Sequence, residues 1–131
     1  MNIVINQDIQ ACTTAGEVCA IVFGRAAELN AVNIATGLRK LLQAPRARVA
    51  EADFQHAMRR LEDEALRNMK EFGAREIANT LHIIAKKRYR PANASLLPSL
   101  ENRTAEAANH FNPQDVANTL WAYATMGRTP P

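Results

Sequence analysis

The sequence predicts an all-α fold, an α-solenoid of antiparallel helix pairs with about three repeats of roughly 39–43 residues. Three observations favour it. A segment that begins at Phe72 returns at Phe111, and both copies contain Ala-Asn-Thr-Leu, at 78–81 and at 117–120. Only 5 of the 131 residues are glycine, and no Asn-Gly or Asp-Gly turn separates alternating apolar runs, which disfavours a sheet of hairpins. Apolar residues also recur at three- and four-residue steps, as in amphipathic helices.

A fainter third copy extends the repeat towards the N-terminus. Leu29-Asn-Ala-Val-Asn-Ile-Ala-Thr-Gly-Leu precedes the Phe72 copy by a slightly longer interval. We call the interval from Phe72 to Phe111 the repeat offset. Pro91 and Pro130 are separated by the same offset, so the match continues into the turn after the helix. Intervals of this size are typical of stacked supersecondary units. We therefore divide the chain into approximate units 5–45, 46–91 and 92–131, and we expect them to be part of a longer array with apolar ends.

Local signals place six helices. Thr14 and Glu17 have the spacing of a capping box, Pro45 stops the second helix, and Gly73 breaks the third. Asn112 before Pro113 is a cap residue followed by proline at the first helical position. The six predicted helices cover residues 14–28, 31–43, 48–71, 75–87, 95–109 and 113–127.

Composition narrows the function without identifying it. A net charge of +3 and a pI near 9.2 are compatible with a polyanionic partner. No apolar run approaches the roughly 20 residues of a membrane span, so we expect no membrane association. Cys12 and Cys19 are expected to be buried or half-buried thiols, and the three histidines are scattered. We therefore predict no metal site, no cofactor and no enzymatic activity.

The strongest copy resembles a known repeat family. Phe111-Asn-Pro-Gln-Asp-Val-Ala-Asn-Thr-Leu-Trp-Ala-Tyr-Ala, followed by Gly127 and Pro130, is similar to the signature of octotricopeptide repeats, helix-pair repeats of organellar RNA-binding proteins. The segments from Ile9 and from Leu29 are similar to the first repeat of RAP-domain and related chloroplast proteins. Departures are His82 in place of the usual tryptophan and Gly37 in place of a larger residue.

The resemblance implies single-stranded RNA as a partner and a role in transcript stability, processing or translation. Some proteins of this kind are chloroplast translation activators. Other proteins of an organellar ribonucleoprotein are implied as further partners. The implied compartment is the chloroplast, with the mitochondrion as the alternative, although no transit peptide is visible in this chain. The target RNA is not specified by these residues.

A helical wheel separates two arcs on each short helix. In the last copy, Val116, Ala117, Leu120, Tyr123 and Ala124 form the apolar arc, which we expect to face the core. The opposite arc is the predicted ligand-facing stripe. Its members are Asn33, Thr36, Lys40 and Gln43 in the first unit, Glu76, Asn79, Ile83 and Lys86 in the second, and Asp115, Asn118, Ala122 and Thr125 in the third.

Positions of this stripe that change between units are the predicted base readers, because a side chain that differs can discriminate bases. They form two sets, Lys40, Ile83 and Ala122, and Gln43, Lys86 and Thr125. The recurring Asn79 and Asn118 have two readings: they contact RNA, or their amides bond the backbone of a neighbouring repeat.

Three side chains at the border of the arcs, Arg39, His82 and Trp121, can each stack on a base. The alternative for Trp121 is packing in the core with its N–H bonded to a neighbour.

Cations follow each short helix and predict a basic edge. Lys86, Lys87, Arg88 and Arg90 follow the second short helix, Arg46 and Arg48 the first, and Arg128 the third. Such an edge would follow a phosphate backbone. The alternative is that these cations complement helix dipoles. The acidic run 62–64, with Glu51 and Asp53, is predicted to be a solvated outer face.

The leading hypothesis is therefore an RNA-binding repeat module. The second is a helical scaffold for protein partners, and the third is an accessory part of a nuclease whose catalytic domain lies elsewhere.

Overall fold

Seven α-helices make up most of the chain in the computed structural model, which describes residues 2–46 and 48–128. Short 3₁₀ turns follow α2, α4 and α6, at Ala26–Glu28, Met69–Glu71 and Ala108–His110. No strand occurs in the described ranges, so the predicted all-α class is confirmed. The helices are α1 (Asn2–Ala11), α2 (Ala15–Arg25), α3 (Ala31–Gln43), α4 (Glu51–Arg67), α5 (Ala74–Lys86), α6 (Leu96–Glu106) and α7 (Pro113–Met126).

The six predicted helices correspond to α2 to α7, and the caps predicted for α2 and α7 are present. The Thr14 hydroxyl accepts from the backbone N–H of Glu17, and the Glu17 carboxylate accepts from that of Thr14. Asn112 caps α7 in the same reciprocal way with Asp115. These bonds satisfy N–H groups that have no partner inside the helix, which is why cap residues located the starts well.

Helix α1 is absent from the sequence-based prediction. Its sequence is rich in β-branched residues, which have modest helix propensity, and it has no cap signal. Tertiary contact with α3 stabilises it instead. Ile5 and Ile9 are fully buried, and the Asn33 amide donates to the Asn2 carbonyl at 3.0 Å. The predicted match of Pro130 with Pro91 lies outside the described residues.

The helices pack in two rows. In the first row, formed by α1, α3, α5 and α7, helix α3 contacts α1 and α5, and α5 makes its most extensive contact with α7. In the second row α4 contacts α2 and α6. The rows meet through α2 and α4 against α3 and through α6 against α5. The core lies between them, and Phe54, Met58 and Leu61 of α4 are fully buried there, as their spacing predicted.

The prediction of a solvated acidic patch is wrong for two of its carboxylates. Glu62 and Glu64 are buried, whereas Glu51 and Asp53 are exposed. The Glu64 carboxylate accepts from Arg60 at 3.0 Å and Arg67 at 2.9 Å, so its charge is paired. Buried carboxylates persist where cations or several donors satisfy them, and the sequence run alone does not reveal those donors.

Candidate nucleic-acid interface

The predicted ligand-facing stripe is rotated relative to the exposed surface of the first row. Ile83 and Ala122, two of the proposed base readers, are fully buried, so their assignment to an exposed stripe is wrong. Asn33, Thr36 and Asp115 of the same stripe are buried too. These positions lie on helices that pack side by side in the row, and residues between neighbouring helices cannot face a ligand.

Lys40, the remaining base reader of that set, is half-buried and turned away from this surface. Its ammonium donates to the carbonyl of Cys12 at 3.1 Å. Cys12 and Cys19 are buried free thiols, as predicted, and desolvation raises the pKa of both.

The surface that remains open on the first row carries most of the other candidates. Arg39 on α3, Asn79 and His82 on α5, and Asn118 on α7 are half-buried, while Trp121 is 45% exposed. At the C-terminal ends of the helices, Gln43, Lys86 and Thr125 are exposed. We call Arg39, Asn79, His82, Asn118 and Trp121 the polar stripe.

Two side chains of the polar stripe form an aromatic pair across adjacent helices. The rings of His82 and Trp121 have centroids 4.8 Å apart and planes inclined by 37°. The alternative that Trp121 packs into the core is therefore wrong. Its indole lies against the imidazole, and nearly half of the residue's surface is exposed.

The two recurring asparagines do not bond a neighbouring backbone in the described part of the chain. The Asn118 carbonyl oxygen accepts from the Gln114 amide at 3.2 Å, within α7 itself. Asn79 lines a pocket of about 160 Å³ between α1, α3 and α5, together with Arg39 and Arg75. Both side chains are thus partly exposed.

Five cations of the predicted basic edge line two neighbouring grooves between the loops of the first row, whereas Lys86 and Arg48 line neither. Residues Arg46, Lys87, Arg88 and Arg90 line the first groove, of about 570 Å³, between the loops after α3 and α5. The second, of about 310 Å³, lies between the loops after α5 and α7, and Arg88, Arg90 and Arg128 line it. Because Arg88 and Arg90 line both grooves, the two join into one continuous surface, which we call the basic edge.

The cations of the basic edge differ in how they are held. The Arg46 guanidinium lies 4.0 Å from the centroid of the Phe54 ring, a cation–π contact that fixes its plane. Arg128 is paired with the Glu101 carboxylate. Lys86, Lys87, Arg88 and Arg90 have no ion pair with a described residue, and all four are exposed. Arg46 and Arg48 have no ion pair with a described residue either, so the unpaired positive charge lies on the loops after α3 and α5.

The backbone of Arg88 is left-handed, with φ of +52°. Its N–H donates to the Ala85 carbonyl at 3.1 Å, and the next N–H, that of Tyr89, donates to Ile84 at 3.0 Å. Gly127 occupies the equivalent position one repeat offset later, with φ of +70° and the same two bonds. Glycine adopts this conformation without strain, whereas arginine is disfavoured there. Residues held in strained backbone often serve a function.

Sequence reasoning missed the residue that holds this loop in place. The buried Glu62 carboxylate accepts from the Tyr89 hydroxyl and from the backbone N–H groups of Ala92 at 3.2 Å and Asn93 at 2.8 Å. Burial, followed by this bond to Glu62, raises the pKa of Tyr89 well above its ordinary value of 10. The available signal was that Glu62 and Glu101, which pairs with Arg128, are separated by the repeat offset.

The described residues thus form an all-helical protein with two rows of helices and a basic edge. Residues 41–81 and 102–120 match the model of a family described as a protein of unknown function, DUF1601. Both matched segments end at the last residue of an Ala-Asn-Thr-Leu copy, Leu81 and Leu120. No curated protein and no solved structure matches the chain. None of the described helices is long and apolar enough to cross a membrane.

Proposed function

We propose that this protein is an RNA-binding helical-repeat module, an α-solenoid of the octotricopeptide kind that acts on organellar transcripts. The observation that carries the proposal is the basic edge, where cations from the loops of successive units line connected grooves. A single strand of RNA has evenly spaced phosphates that such an edge can follow.

The repeat architecture is supported by equivalences between units. Leu61 and Leu100, one repeat offset apart, are both fully buried in the second row. Arg88 and Gly127, at the same offset, share their backbone hydrogen bonds. Glu62 and Glu101 each bond a side chain from the following loop. In these pairs, residues separated by the repeat offset in the sequence have equivalent burial or hydrogen bonds, which supports stacked repeats.

The two surfaces have different tasks in this proposal. Lys86, Lys87, Arg88 and Arg90 bind phosphates and supply affinity that depends on salt but not on sequence. The polar stripe binds bases, with the His82–Trp121 pair as a stacking surface and the Asn79 and Asn118 amides as hydrogen-bonding groups. Cations at helix ends also complement the dipoles, and both effects act on the same side chains. The module serves transcript stability, processing or translation in the chloroplast, with the mitochondrion as the alternative.

The test is binding of the full chain to a labelled pool of random single-stranded RNA at about 50 and 200 mM salt, followed by fluorescence anisotropy. The variant Lys87→Ala/Arg88→Ala removes two unpaired charges of the basic edge. If each binds one phosphate, the slope of log affinity against log salt falls by about 1.4. The matched control is Arg59→Ala/Lys70→Ala, which removes two exposed charges that line neither groove.

RNA binding that both variants weaken equally would show only a general charge effect and would remove the support for the basic edge. A folded wild-type chain that does not bind RNA at the lower salt concentration would refute the proposal. The second candidate function, a scaffold for protein partners, would then be favoured by the apolar surface of α7, where Val116 and Leu120 are exposed.

A further inference from the structure

The predicted apolar arc of α7 does not face the core. Val116 is 42% exposed and Leu120 49% exposed, and Ala117 and Ala124 are exposed as well, so only Tyr123 of that arc is buried. Val116, Leu120 and Tyr123 line a groove of about 150 Å³ between α6 and α7. We call it the α6/α7 groove; Thr104, Ala108, Phe111 and Thr119 line the rest of it.

The same surface exists one unit earlier, and there the structure shows what covers it. Ile77 and Leu81 precede Val116 and Leu120 by the repeat offset, and both are fully buried, as is Phe72 before Phe111. Helix α6 packs against α4, against the Met69–Glu71 turn and against α5, and its Leu96 and Leu100 are completely enclosed. A helix with leucines at positions i and i+4 therefore fills the earlier copy of the surface.

One polar contact sets the register of that helix. Arg103 of α6 donates through Nε to the Phe72 carbonyl at 2.9 Å. The carbonyl of Phe111 stands at the equivalent position beside the α6/α7 groove. The groove thus presents the apolar wall and the backbone acceptor that α6 uses one unit earlier.

We propose that the α6/α7 groove binds an amphipathic α-helix of a partner polypeptide, with leucines at i and i+4 and an arginine three positions after the second leucine. Leu96, Leu100 and Arg103 are the template for this pattern. The leucines would cover Val116 and Leu120, and the arginine would bond the Phe111 carbonyl. The surface continues an interface already present inside the molecule, which is why a helix is the expected occupant. This inference does not depend on RNA binding.

The test uses the full chain and a labelled synthetic peptide of residues 92–110, which carries the α6 pattern. We expect saturable binding by fluorescence anisotropy, similar at about 50 and 200 mM salt because the contact is apolar. Leu120→Arg should weaken it by about tenfold or more, since the leucine contact is replaced by a buried charge. Phe23→Arg is the matched control, because it places the same side chain at another exposed apolar position, 53% exposed on α2.

Circular dichroism checks that each variant is folded. If Leu120→Arg does not fold, Val116→Lys is the second variant that changes the groove. Peptide variants Leu96→Ala and Leu100→Ala should bind more weakly than the parent. Absence of saturable binding to the folded chain would overturn the proposal. So would binding that Leu120→Arg and Val116→Lys leave unchanged, because the peptide would then be replacing α6 itself or binding elsewhere.

Discussion

Replacing Arg88 by glycine should change stability and RNA affinity in opposite directions. Arg88 has φ of +52° and Gly127 has φ of +70°, with matching hydrogen bonds. A left-handed conformation costs a non-glycine residue about 1–2 kcal/mol. Glycine loses about 0.5–1 kcal/mol more backbone entropy on folding than other residues. Arg88→Gly should therefore increase the free energy of unfolding by about 0.5–1 kcal/mol, and Gly127→Arg should lower it by a similar amount.

Urea denaturation and thermal melting measure the stability change, and we expect the melting temperature of Arg88→Gly to rise by about 2–4 °C. The same variant should bind RNA more weakly, with a salt slope smaller by about 0.7. A more stable protein that binds less RNA cannot owe its loss of affinity to unfolding. In the double variant the net charge stays at +3, because arginine and glycine only exchange places.

Lys87→Gly is the control, because it removes one charge from the same loop at a residue with φ of −92°. No strain is relieved there, so we expect a loss of about 0.5–1 kcal/mol. If Arg88→Gly destabilised the protein as much as Lys87→Gly, the left-handed arginine would not be strained. If Arg88→Gly is more stable but binds RNA as tightly as wild type, Arg88 does not contribute to phosphate binding.

Three further predictions concern interactions inside the molecule. Glu62→Ala leaves the Tyr89 hydroxyl and two backbone N–H groups without their acceptor and should cost about 3 kcal/mol in urea denaturation; a loss below about 1 kcal/mol would show that water replaces the carboxylate. Because the pKa of Tyr89 is raised on folding, its hydroxyl stabilises the folded chain fully below about pH 10, and this stabilisation is lost as pH rises further. Tyr89→Phe should therefore show a smaller alkaline loss of stability than wild type between about pH 10 and 12. Ala78→Leu should cost about 1–3 kcal/mol because that alanine is fully buried, whereas Ala117→Leu at the equivalent exposed position should change stability by less than about 0.5 kcal/mol. Equal effects of the two leucines would contradict the open face of α7.

Much of the fold was predictable because its signals are local. Cap residues, prolines and glycines act within one turn of helix, so α3 was placed at its observed bounds and α2 and α4 to α7 close to theirs. Helix α1 was not predicted because it is stabilised by contacts with α3, including the bond from Asn33, and α3 is distant in the sequence. The repeat likewise predicted which positions correspond between units.

The candidate site was predictable in its chemistry but not in its orientation. The cations of the basic edge and the three stacking candidates Arg39, His82 and Trp121 were found from residue type and spacing. The helical wheel assigned Ile83 and Ala122 to the ligand-facing stripe, but both side chains are buried. A helical wheel assigns the buried face from polarity alone. In the first row, however, Ile83 and Ala122 are buried, whereas the larger apolar side chains Val116 and Leu120 of α7 are exposed.

The sequence by itself determined the helical class, the repeat offset, the caps of α2 and α7 and the basic residues after each short helix, because these depend on residues close in the chain or on exact repetition. Only the tertiary structure decided which faces are buried. Leu81 and Leu120 belong to identical Ala-Asn-Thr-Leu segments, yet one is fully buried and the other is 49% exposed. Leu81 lies on α5, against which both α6 and α7 pack, whereas Leu120 lies on α7. Burial therefore depends on which neighbouring helices contact a side chain, and the local sequence does not specify those neighbours.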